Sequence, residues 1–250
     1  MTERVNLVTG ACGFSGAYVV RQLLREGQRV VATDIPRAFE HPKTRTIHKN
    51  IGLDFSDPLC EVAPADLTDR LGTEKLLQRP VTHVFHTASL YDYAAPMDLL
   101  RKVNIQGTVH LLDAVQKRND LERFVHWSTC GVFGKPYTSR EGRKCNLPFT
   151  EESSSPKNTP HGQAGPTGTH LVNDYSVTKW EQEQIVWKCH RERGLPLTVI
   201  RPAPIYGPGS DYGHGGILIT INKGLVPAVP RDARNYITTS LHVEDIAGFA

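Results

Sequence analysis

Two short motifs contain the residues whose types and spacing are best suited to chemistry. Tyr175 and Lys179 lie four positions apart in Tyr-Ser-Val-Thr-Lys, and a glycine motif, Gly10-Ala-Cys-Gly13-Phe-Ser-Gly16, lies far upstream. On a helix, residues four apart share a face, so a lysine ammonium would stabilise the tyrosine phenolate and lower the phenol pKa from about 10. Tyr175 could then act as a general acid or base. Either motif alone is short enough to arise by chance. Their order along the chain is what indicates a dinucleotide-dependent redox site.

The glycine motif suits the pyrophosphate of a dinucleotide. It lies between a strand-like run, Val5–Thr9, and an amphipathic stretch, Phe14–Glu26. In such a turn backbone N–H groups approach the phosphates, and the helix N-terminus adds a favourable dipole. Two residues separate each pair of glycines, unlike the Gly-x-Gly of the large dehydrogenase domains. The predicted phosphate-binding residues are therefore Gly10, Gly13, Phe14 and Gly16.

Asp34 is the predicted ribose-binding residue. It ends the second strand-like run, Arg29–Asp34, 18 residues after Gly16. A carboxylate at this place binds the adenosine ribose hydroxyls and repels a 2′-phosphate, which favours NAD over NADP. Arg37 follows closely and could attract such a phosphate, which weakens the preference.

A hydroxyl donor is needed to orient a substrate carbonyl beside Tyr175. The segment Trp127-Ser-Thr-Cys-Gly-Val-Phe-Gly134 follows a strand-like run, where such a group would reach the site. Thr129 is the first candidate and Ser128 the second. Either hydroxyl could instead only satisfy backbone groups at the end of the strand.

The elements that must position these residues alternate between strand and helix. This alternation predicts an α/β fold with a doubly wound parallel sheet, a Rossmann fold, in one domain over residues 1–250. Further strands are predicted at Leu59–Ala63, Val81–His86, Arg123–Ser128 and Leu197–Arg201, and further helices at Asp69–Gln78, Asp98–Arg118 and Tyr175–Arg193. Segments 37–57 and 138–173 interrupt the alternation and are predicted to be loops or inserts, the second lying over the reaction site.

Composition excludes several other classes of function. The net charge is +3, with 29 basic and 26 acidic residues interspersed, so nucleic acid is not an expected partner. No apolar run approaches about 18 residues and a strand begins at Val5, so we expect a cytoplasmic protein without a membrane segment or signal peptide. The cysteines are odd in number and form no Cys-x-x-Cys pair, and His83 and His86 adjoin no carboxylate cluster, so no metal site is predicted.

The whole set of motifs resembles the extended short-chain dehydrogenase/reductase family, within the NAD-dependent epimerase/dehydratase superfamily, over nearly the entire chain. Besides the glycine and Tyr-x-x-x-Lys motifs, five stretches match family signatures in their usual order. They are Ala65-Asp66-Leu67, His86-Thr87-Ala88, Val103-Asn104-Ile-Gln-Gly107-Thr108, Arg201-Pro-Ala-Pro-Ile-Tyr206-Gly-Pro208 and His242-Val-Glu-Asp245.

The resemblance implies further roles in the site. Asp66 and Leu67 would hold the adenine, and Ala88 would flank the cofactor. Asn104 would brace the active-site helix, with a water molecule to Lys179 as one route. The family tyrosine that follows the catalytic threonine is Phe133 here, which removes a hydroxyl but no chemistry.

Departures from the family patterns bear on the substrate. Nucleotide-sugar epimerases and dehydratases usually carry an asparagine where this chain has Ala203-Pro204-Ile205, and the 4,6-dehydratases carry Asp-Glu where it has Cys130-Gly131. The chain is closer in motif to the 3β-hydroxysteroid dehydrogenase branch, which Arg201-Pro-Ala-Pro-Ile-Tyr206-Gly-Pro-Gly209 and Phe85-His-Thr-Ala-Ser89 resemble more. By that resemblance the substrate would be apolar. We therefore expect an NAD-dependent enzyme that interconverts a secondary alcohol and a ketone on a small-molecule substrate. A nucleotide-sugar epimerase and a non-catalytic dinucleotide-binding protein are the alternatives.

The last part of the chain is expected to form only part of a substrate lobe. Relatives of this kind continue for several elements after the His-Val-Glu-Asp motif, whereas this sequence ends at Ala250. Two interpretations stay open. Either the chain is a fragment of a longer enzyme, with substrate-lobe elements around residues 203–240, or the 138–173 segment and Ser210–Gly216 close the pocket with the help of a partner subunit. By the same resemblance, helices Asp98–Arg118 and Tyr175–Arg193 would form a homodimer.

Overall fold

The structure, a computed structural model, describes residues 3–133, 173–210, 214–225 and 239–250. Its centre is a six-stranded parallel sheet in the order β3-β2-β1-β4-β5-β6. The strands are β1 (Val5–Thr9), β2 (Arg29–Thr33), β3 (Cys60–Val62), β4 (His83–His86), β5 (Arg123–Trp127) and β6 (Leu197–Ile200). The predicted doubly wound parallel sheet is confirmed.

Helices connect these strands along both faces of the sheet. They are α1 (Phe14–Arg25), α2 (Pro36–Glu40), α3 (Pro42–Ile51), α4 (Arg70–Leu76), α5 (Met97–Leu100), a π-helical turn (Arg101–Gln106), α6 (Gly107–Val115), a 3₁₀ turn (Cys130–Phe133) and α7 (Asp174–Arg193). After β6 come β7 (Ile205–Tyr206), α8 (His214–Asn222), β8 (Leu241–His242) and α9 (Val243–Phe249), with β7 and β8 paired in parallel.

The sheet divides the core into two apolar layers. Every residue of β1 is buried, because a central parallel strand is covered on both faces. Successive side chains alternate between the faces, so Val8 packs with α1 and α9 whereas Leu7 packs with α4, α6 and α7. The strand order reverses between β1 and β4, where parallel sheets of this kind bind ligands beyond the carboxyl ends of their strands.

The prediction that segment 37–57 forms a loop was wrong, because two helices occupy most of it. Each begins at a proline, Pro36 and Pro42, whose fixed φ suits the first helical position. In α3, Ile51 is buried in the core and Gly52 ends the helix at a φ of +71°. The few apolar residues stand among lysines and arginines, which hid the helical periodicity.

Other sequence predictions differ from the structure at element boundaries. The predicted strands exceed the observed ones by one or two residues at an end, and the helix predicted at Asp98–Arg118 contains the π turn. Gly27 follows α1 as expected, at a φ of +70°. The predicted insert at 138–173 lies almost wholly outside the described residues, and the 203–240 region is described only in part. Among the described residues no helix is long and apolar enough to cross a membrane.

Candidate active site

The glycine motif forms a tight turn between β1 and α1. Gly10 has a φ of +68°, and its carbonyl accepts a hydrogen bond from the Gly13 N–H at 2.9 Å. A Cβ on Gly16 would lie 2.1 Å from the Gly10 carbonyl oxygen, and one on Gly10 would lie 2.8 Å from Cα of Ala88. Glycine is therefore required at both places, since no side chain would fit between the turn, the helix and the loop after β4.

The N-terminus of α1 faces this turn without a side chain of its own to cap it. The cap residue is Gly13, and the first helical turn contains no acidic residue. The first N–H groups of a helix have no partner within the helix and carry its positive dipole end. The cradle therefore fits the pyrophosphate of a dinucleotide, with the backbone as the binding group.

A groove of about 870 Å³ leads away from the glycine turn. Asp34, Asp66, Leu67 and Ala88 all line it, so the structure brings together the residues assigned to ribose and adenine. Arg37 lines the same groove, so both the residue that favours NAD and the one that would attract a 2′-phosphate are present.

Two backbone N–H groups hold the Asp34 carboxylate. Its Oδ2 accepts from Cys12 N at 3.0 Å and its Oδ1 from Ile35 N at 2.8 Å. Burial raises the pKa of this carboxyl above its usual value, and the two hydrogen bonds oppose that effect. The carboxylate is thus fixed at the groove wall, where it could accept hydrogen bonds from hydroxyl groups of a ligand.

A second cavity, of about 300 Å³, adjoins the groove and contains the predicted reacting groups. Thr129, Tyr175 and Lys179 all line it, and the cavity and the groove share Gly10, Gly13, Thr87 and Ser89. A single extended ligand could therefore occupy both. The fit to a dinucleotide rests on this continuity and on the glycine cradle.

Lys179 is buried, and its ammonium has three hydrogen-bond acceptors. Its Nζ donates to Trp127 O at 2.7 Å, Gln182 Oε1 at 2.5 Å and Ser89 Oγ at 2.9 Å. Burial lowers the pKa of Lys179 to about 7, and the carboxylate of Glu183 opposes that shift. The lysine thus titrates in the range where its charge can influence the phenol of Tyr175.

Asn104 ties the start of α7 to the loop after β4. It lies in the π turn, where helices often deform at functional sites. Its Oδ1 accepts from Leu90 N at 2.7 Å and its Nδ2 donates to Thr178 Oγ1 at 3.2 Å. Asn104 therefore contacts the helix that carries Tyr175 and Lys179 directly, through Thr178.

The geometry separates the two candidate hydroxyl donors. Ser128 Oγ donates to the buried carboxylate of Glu183 at 2.5 Å, which commits its proton to the protein interior. Thr129 Oγ1 accepts from Gly131 N at 3.1 Å, interacts with the neighbouring Cys130 thiol and lines the cavity, and its hydroxyl is not bound to a buried carboxylate. This arrangement favours Thr129.

Several residues of the site escaped sequence reasoning. Ser89 and Gln182 bind the lysine ammonium, and Tyr91 and Tyr93 pack edge-on against the Tyr175 ring with centroids 4.9 and 5.7 Å apart. Ser89 ends the Phe-His-Thr-Ala-Ser stretch but was given no role, and the other three belong to no motif, because a single glutamine or tyrosine in a loop or helix is ordinary. The only available signal was proximity, with Ser89, Tyr91 and Tyr93 just after the His-Thr-Ala signature and Gln182 three residues after Lys179.

Comparisons with known proteins give the chain its family. The sequence model of the NAD dependent epimerase/dehydratase family matches residues 6–247. The chain is 27% identical over 231 residues to sterol-4-alpha-carboxylate 3-dehydrogenase, decarboxylating, of Bos taurus, covering 92% of this chain and 54% of that protein. It is 25% identical over 222 residues to UDP-glucose 4-epimerase of Vibrio cholerae, covering 88% of this chain and 57% of that protein.

A solved structure agrees in fold. UDP-glucose 4-epimerase of Thermus thermophilus, in complex with NAD, superimposes with a TM-score of 0.67 at 22% identity, covering 97% of this chain and 72% of that one. The chain spans about half the length of the curated relatives it matches. With a family match over nearly its whole length, the chain belongs to the NAD dependent epimerase/dehydratase family, as its motifs predict.

Proposed function

We propose that this protein is an NAD-dependent oxidoreductase that interconverts a secondary alcohol and a ketone on a neutral, largely apolar substrate, in the manner of the 3β-hydroxysteroid dehydrogenases. Its site would use Tyr175 as acid and base, with Thr129 and Lys179 beside it. The residues of the groove, with Asp34 at its wall, would hold NAD in preference to NADP.

The wall of the reaction cavity is the observation that carries this proposal. Around Thr129, Tyr175 and Lys179 the cavity is lined by glycines, hydroxyl groups and apolar or aromatic residues, which include Phe14, Tyr91, Tyr93, Trp127, Pro202, Ala203, Pro204 and Ile205. Among the described lining residues, the only charged side chain is Lys179, whose donors already have acceptors. The described wall offers a sugar diphosphate no cationic side chain other than Lys179, whereas its hydroxyls and apolar groups suit a neutral ketone or alcohol.

Residues of this chain would transfer the proton of the substrate hydroxyl. Bound NAD would supply the hydride acceptor, and its reduced form the donor. In the oxidation direction Thr129 orients the substrate hydroxyl while Tyr175, as phenolate, accepts its proton; in reduction Tyr175 returns that proton to the carbonyl oxygen. The positive charge of Lys179 stabilises the phenolate and so brings the phenol nearer to neutral pH.

The test is turnover by the Tyr175→Phe variant. Purified protein with NAD is incubated with a panel of secondary alcohols, steroids and nucleotide sugars, and nicotinamide absorbance is followed. We expect net NADH from an alcohol, reduced by about 10²- to 10⁴-fold in Tyr175→Phe. Tyr206→Phe is the matched control, because it removes a phenol that does not line the cavity. A Tyr175→Phe variant that turns over at the wild-type rate would contradict the proposal.

A nucleotide-sugar epimerase is the second candidate. Its support is the similarity to the Vibrio cholerae protein and to the Thermus thermophilus structure, both named as UDP-glucose 4-epimerases. An epimerase would retain NAD through purification and interconvert a UDP-sugar without net NADH. Binding of NAD without any turnover, unaffected by Tyr175→Phe, would instead favour a non-catalytic dinucleotide-binding protein.

We also propose that the protein acts as a homodimer through α6 and α7. A depression between these helices is lined by Val109, Leu112, Ile185 and Cys189, together with the charged residues Asp113, Lys188, Glu192 and Arg193. Sedimentation equilibrium tests this, and Ile185→Glu is expected to yield the monomer.

A further inference from the structure

A buried glutamine connects Lys179 to the interior of the protein. Gln182 lies on α7 one turn after Lys179, and its side chain is fully buried. Its Oε1 accepts from the Lys179 ammonium at 2.5 Å and from Ser89 Oγ at 3.4 Å. Its Nε2 donates to Thr108 Oγ1 at 2.7 Å. Both ends of the amide are therefore occupied, one by the lysine of the site and the other by α6.

The hydrogen bonds beyond Gln182 fix the direction in which its amide points. The Thr108 hydroxyl donates its single proton to Asn104 O, at 2.7 Å, so Oγ1 can only accept hydrogen bonds from other groups. It accepts from Gln182 Nε2 and, at 2.8 Å, from His86 Nε2. A flipped amide would turn its N–H groups towards the ammonium and its oxygen towards Thr108, which has no proton left to donate.

His86 completes this assignment. Since its Nε2 donates to Thr108, its Nδ1 must accept, and it does so from Thr9 Oγ1 at 2.9 Å. Burial, followed by the charge of Lys179, lowers the pKa of His86 to about 3, so the ring is neutral and carries one N–H, as the assignment requires. The 3.3 Å approach of Gln182 Nε2 to His86 Nε2 is then a contact between two N–H groups.

The three acceptors of Lys179 differ in their access to a ligand. Ser89 lines both the cavity and the groove, so a bound ribose hydroxyl could replace it. Trp127 O belongs to the main chain at the end of β5 and is fixed there. Gln182 lines neither the cavity nor the groove, so no ligand competes for its oxygen.

We propose that Gln182 is a positioning residue of the site. It binds the Lys179 ammonium on the side away from the cavity and favours its charged form. Through Thr108 it also connects the ammonium to the turn that contains Asn104. Its consequence for catalysis rests on the proposed function, because it acts through Lys179 and touches neither substrate nor cofactor. With two donors of Lys179 held by Trp127 and Gln182, the third is directed towards the ligand side of the site.

Other groups also influence the charge of Lys179. The titratable or charged side chains near it are Tyr175 and Glu183 on α7, His86 on β4, His126 on β5, and Arg201, which binds Glu183. Both histidines are neutral because burial lowers their pKa values. Their charge stays constant near pH 7, and the phenol of Tyr175, which can titrate together with Lys179, is present in every variant compared.

The test is the protonation of Lys179, measured without substrate or turnover. Protein labelled with ¹³C-lysine is titrated, and the ¹³Cε resonance that disappears in Lys179→Arg reports the ammonium. Gln182→Met removes one acceptor of a charged donor and is expected to lower the midpoint by roughly one unit. Gln182→Glu keeps the shape and adds a charge, which is expected to raise the midpoint by about one to three units.

Gln184→Met and Gln184→Glu are the matched controls, because Gln184 is a partly exposed glutamine on the same helix. A midpoint unchanged in folded Gln182→Met overturns the proposal, as does one that falls in Gln182→Glu. If Gln182→Met does not fold, Gln182→Glu decides alone, and an unchanged midpoint there also overturns it. The proposed function could fail through absence of turnover while these shifts stand, so the two failures are distinguishable.

Discussion

Replacing Gly16 by alanine should separate α1 from the phosphate-binding turn. The added methyl would lie 2.1 Å from the Gly10 carbonyl oxygen and 2.8 Å from Thr87 Oγ1, whereas real Cβ contacts of this kind are essentially never below 3.0 Å. The helix and the turn must therefore move apart by about 1 Å. Alanine would otherwise favour the helix by about 1 kcal/mol, but overpacking costs about 1–3 kcal/mol. We expect a net loss of stability of up to about 2 kcal/mol.

The same displacement should weaken binding of NAD more than it weakens the fold. A hydrogen bond to a charged phosphate contributes about 1.5–3 kcal/mol, and about 1.4 kcal/mol is a factor of ten in affinity. Loss of one such bond at the N-terminus of α1 predicts that the Kd for NAD rises by roughly 10- to 100-fold.

Calorimetric titration with NAD and urea unfolding measure the two effects of Gly16→Ala. Gly248→Ala is the control, since an added methyl there, in α9, meets nothing within 4 Å. This control should bind NAD normally and unfold at the same or a higher urea concentration. If Gly16→Ala bound NAD within twofold of wild type, the close approach of α1 to the turn would not be what binds the phosphate.

Three further predictions concern charge. Asp34→Asn removes a negative charge from the ribose end of the groove, so the ratio of NADP to NAD affinity should rise by about tenfold or more in a binding titration; an unchanged ratio would mean that Arg37 or another group sets the preference. Arg201→Met leaves the fully buried carboxylate of Glu183 without its cation and should lower the free energy of unfolding by about 3–5 kcal/mol. Arg101→Met is the control: it breaks an exposed ion pair with Glu181, also on α7, and should lower the free energy of unfolding by less than about 1 kcal/mol in the same urea series. His86 has a folded-state pKa of about 3 against 6.5 for the free side chain, so its contribution to stability is complete above pH 6.5 and is lost as the pH falls towards 3. His86→Leu should therefore reduce the dependence of the free energy of unfolding on pH in this range. An unaltered dependence would show that other groups cause it.

The sequence predicted the sheet and the glycine turn between β1 and α1 well, because both follow from local rules. Alternation of apolar runs with amphipathic stretches gives the order of strands and helices, and a glycine at a positive φ reports a backbone requirement directly. Helix α3 was missed, because its core contact depends on a few apolar residues such as Ile51 within a basic segment. The helix is stabilised by tertiary contacts, which local composition does not predict.

The candidate site could be predicted only at the positions that carry motifs. Tyr175, Lys179, Thr129 and Asn104 come together as expected, although the role of each stays a prediction. Gln182 could not be foreseen, since its importance lies partly in hydrogen bonds with Ser89 and with Thr108 of α6, which are more than 70 residues away in sequence. The sequence ranked Thr129 before Ser128, and the geometry adds the reason, because the Ser128 hydroxyl donates to Glu183.

The buried face of α7 explains why this site depends on hydrogen bonds to such a degree. Most helices of globular proteins bury an apolar stripe, which fixes their position only to within the tolerance of packing. The buried face of α7 instead includes Ser176, Thr178, Lys179, Gln182 and Glu183. Each of these needs a partner of suitable geometry, because an unsatisfied buried polar group costs about 1–3 kcal/mol.

These partners come from several elements of the fold. The lysine ammonium is bound at the end of β5, the Gln182 amide by α6, and the Glu183 carboxylate by Arg201 after β6. Directional bonds from separate elements leave α7 little freedom to slide or rotate. The placement of Tyr175 in the cavity is therefore set by polar contacts that form only when β5, α6 and the segment after β6 are assembled around α7, which couples the formation of the site to the folding of the domain.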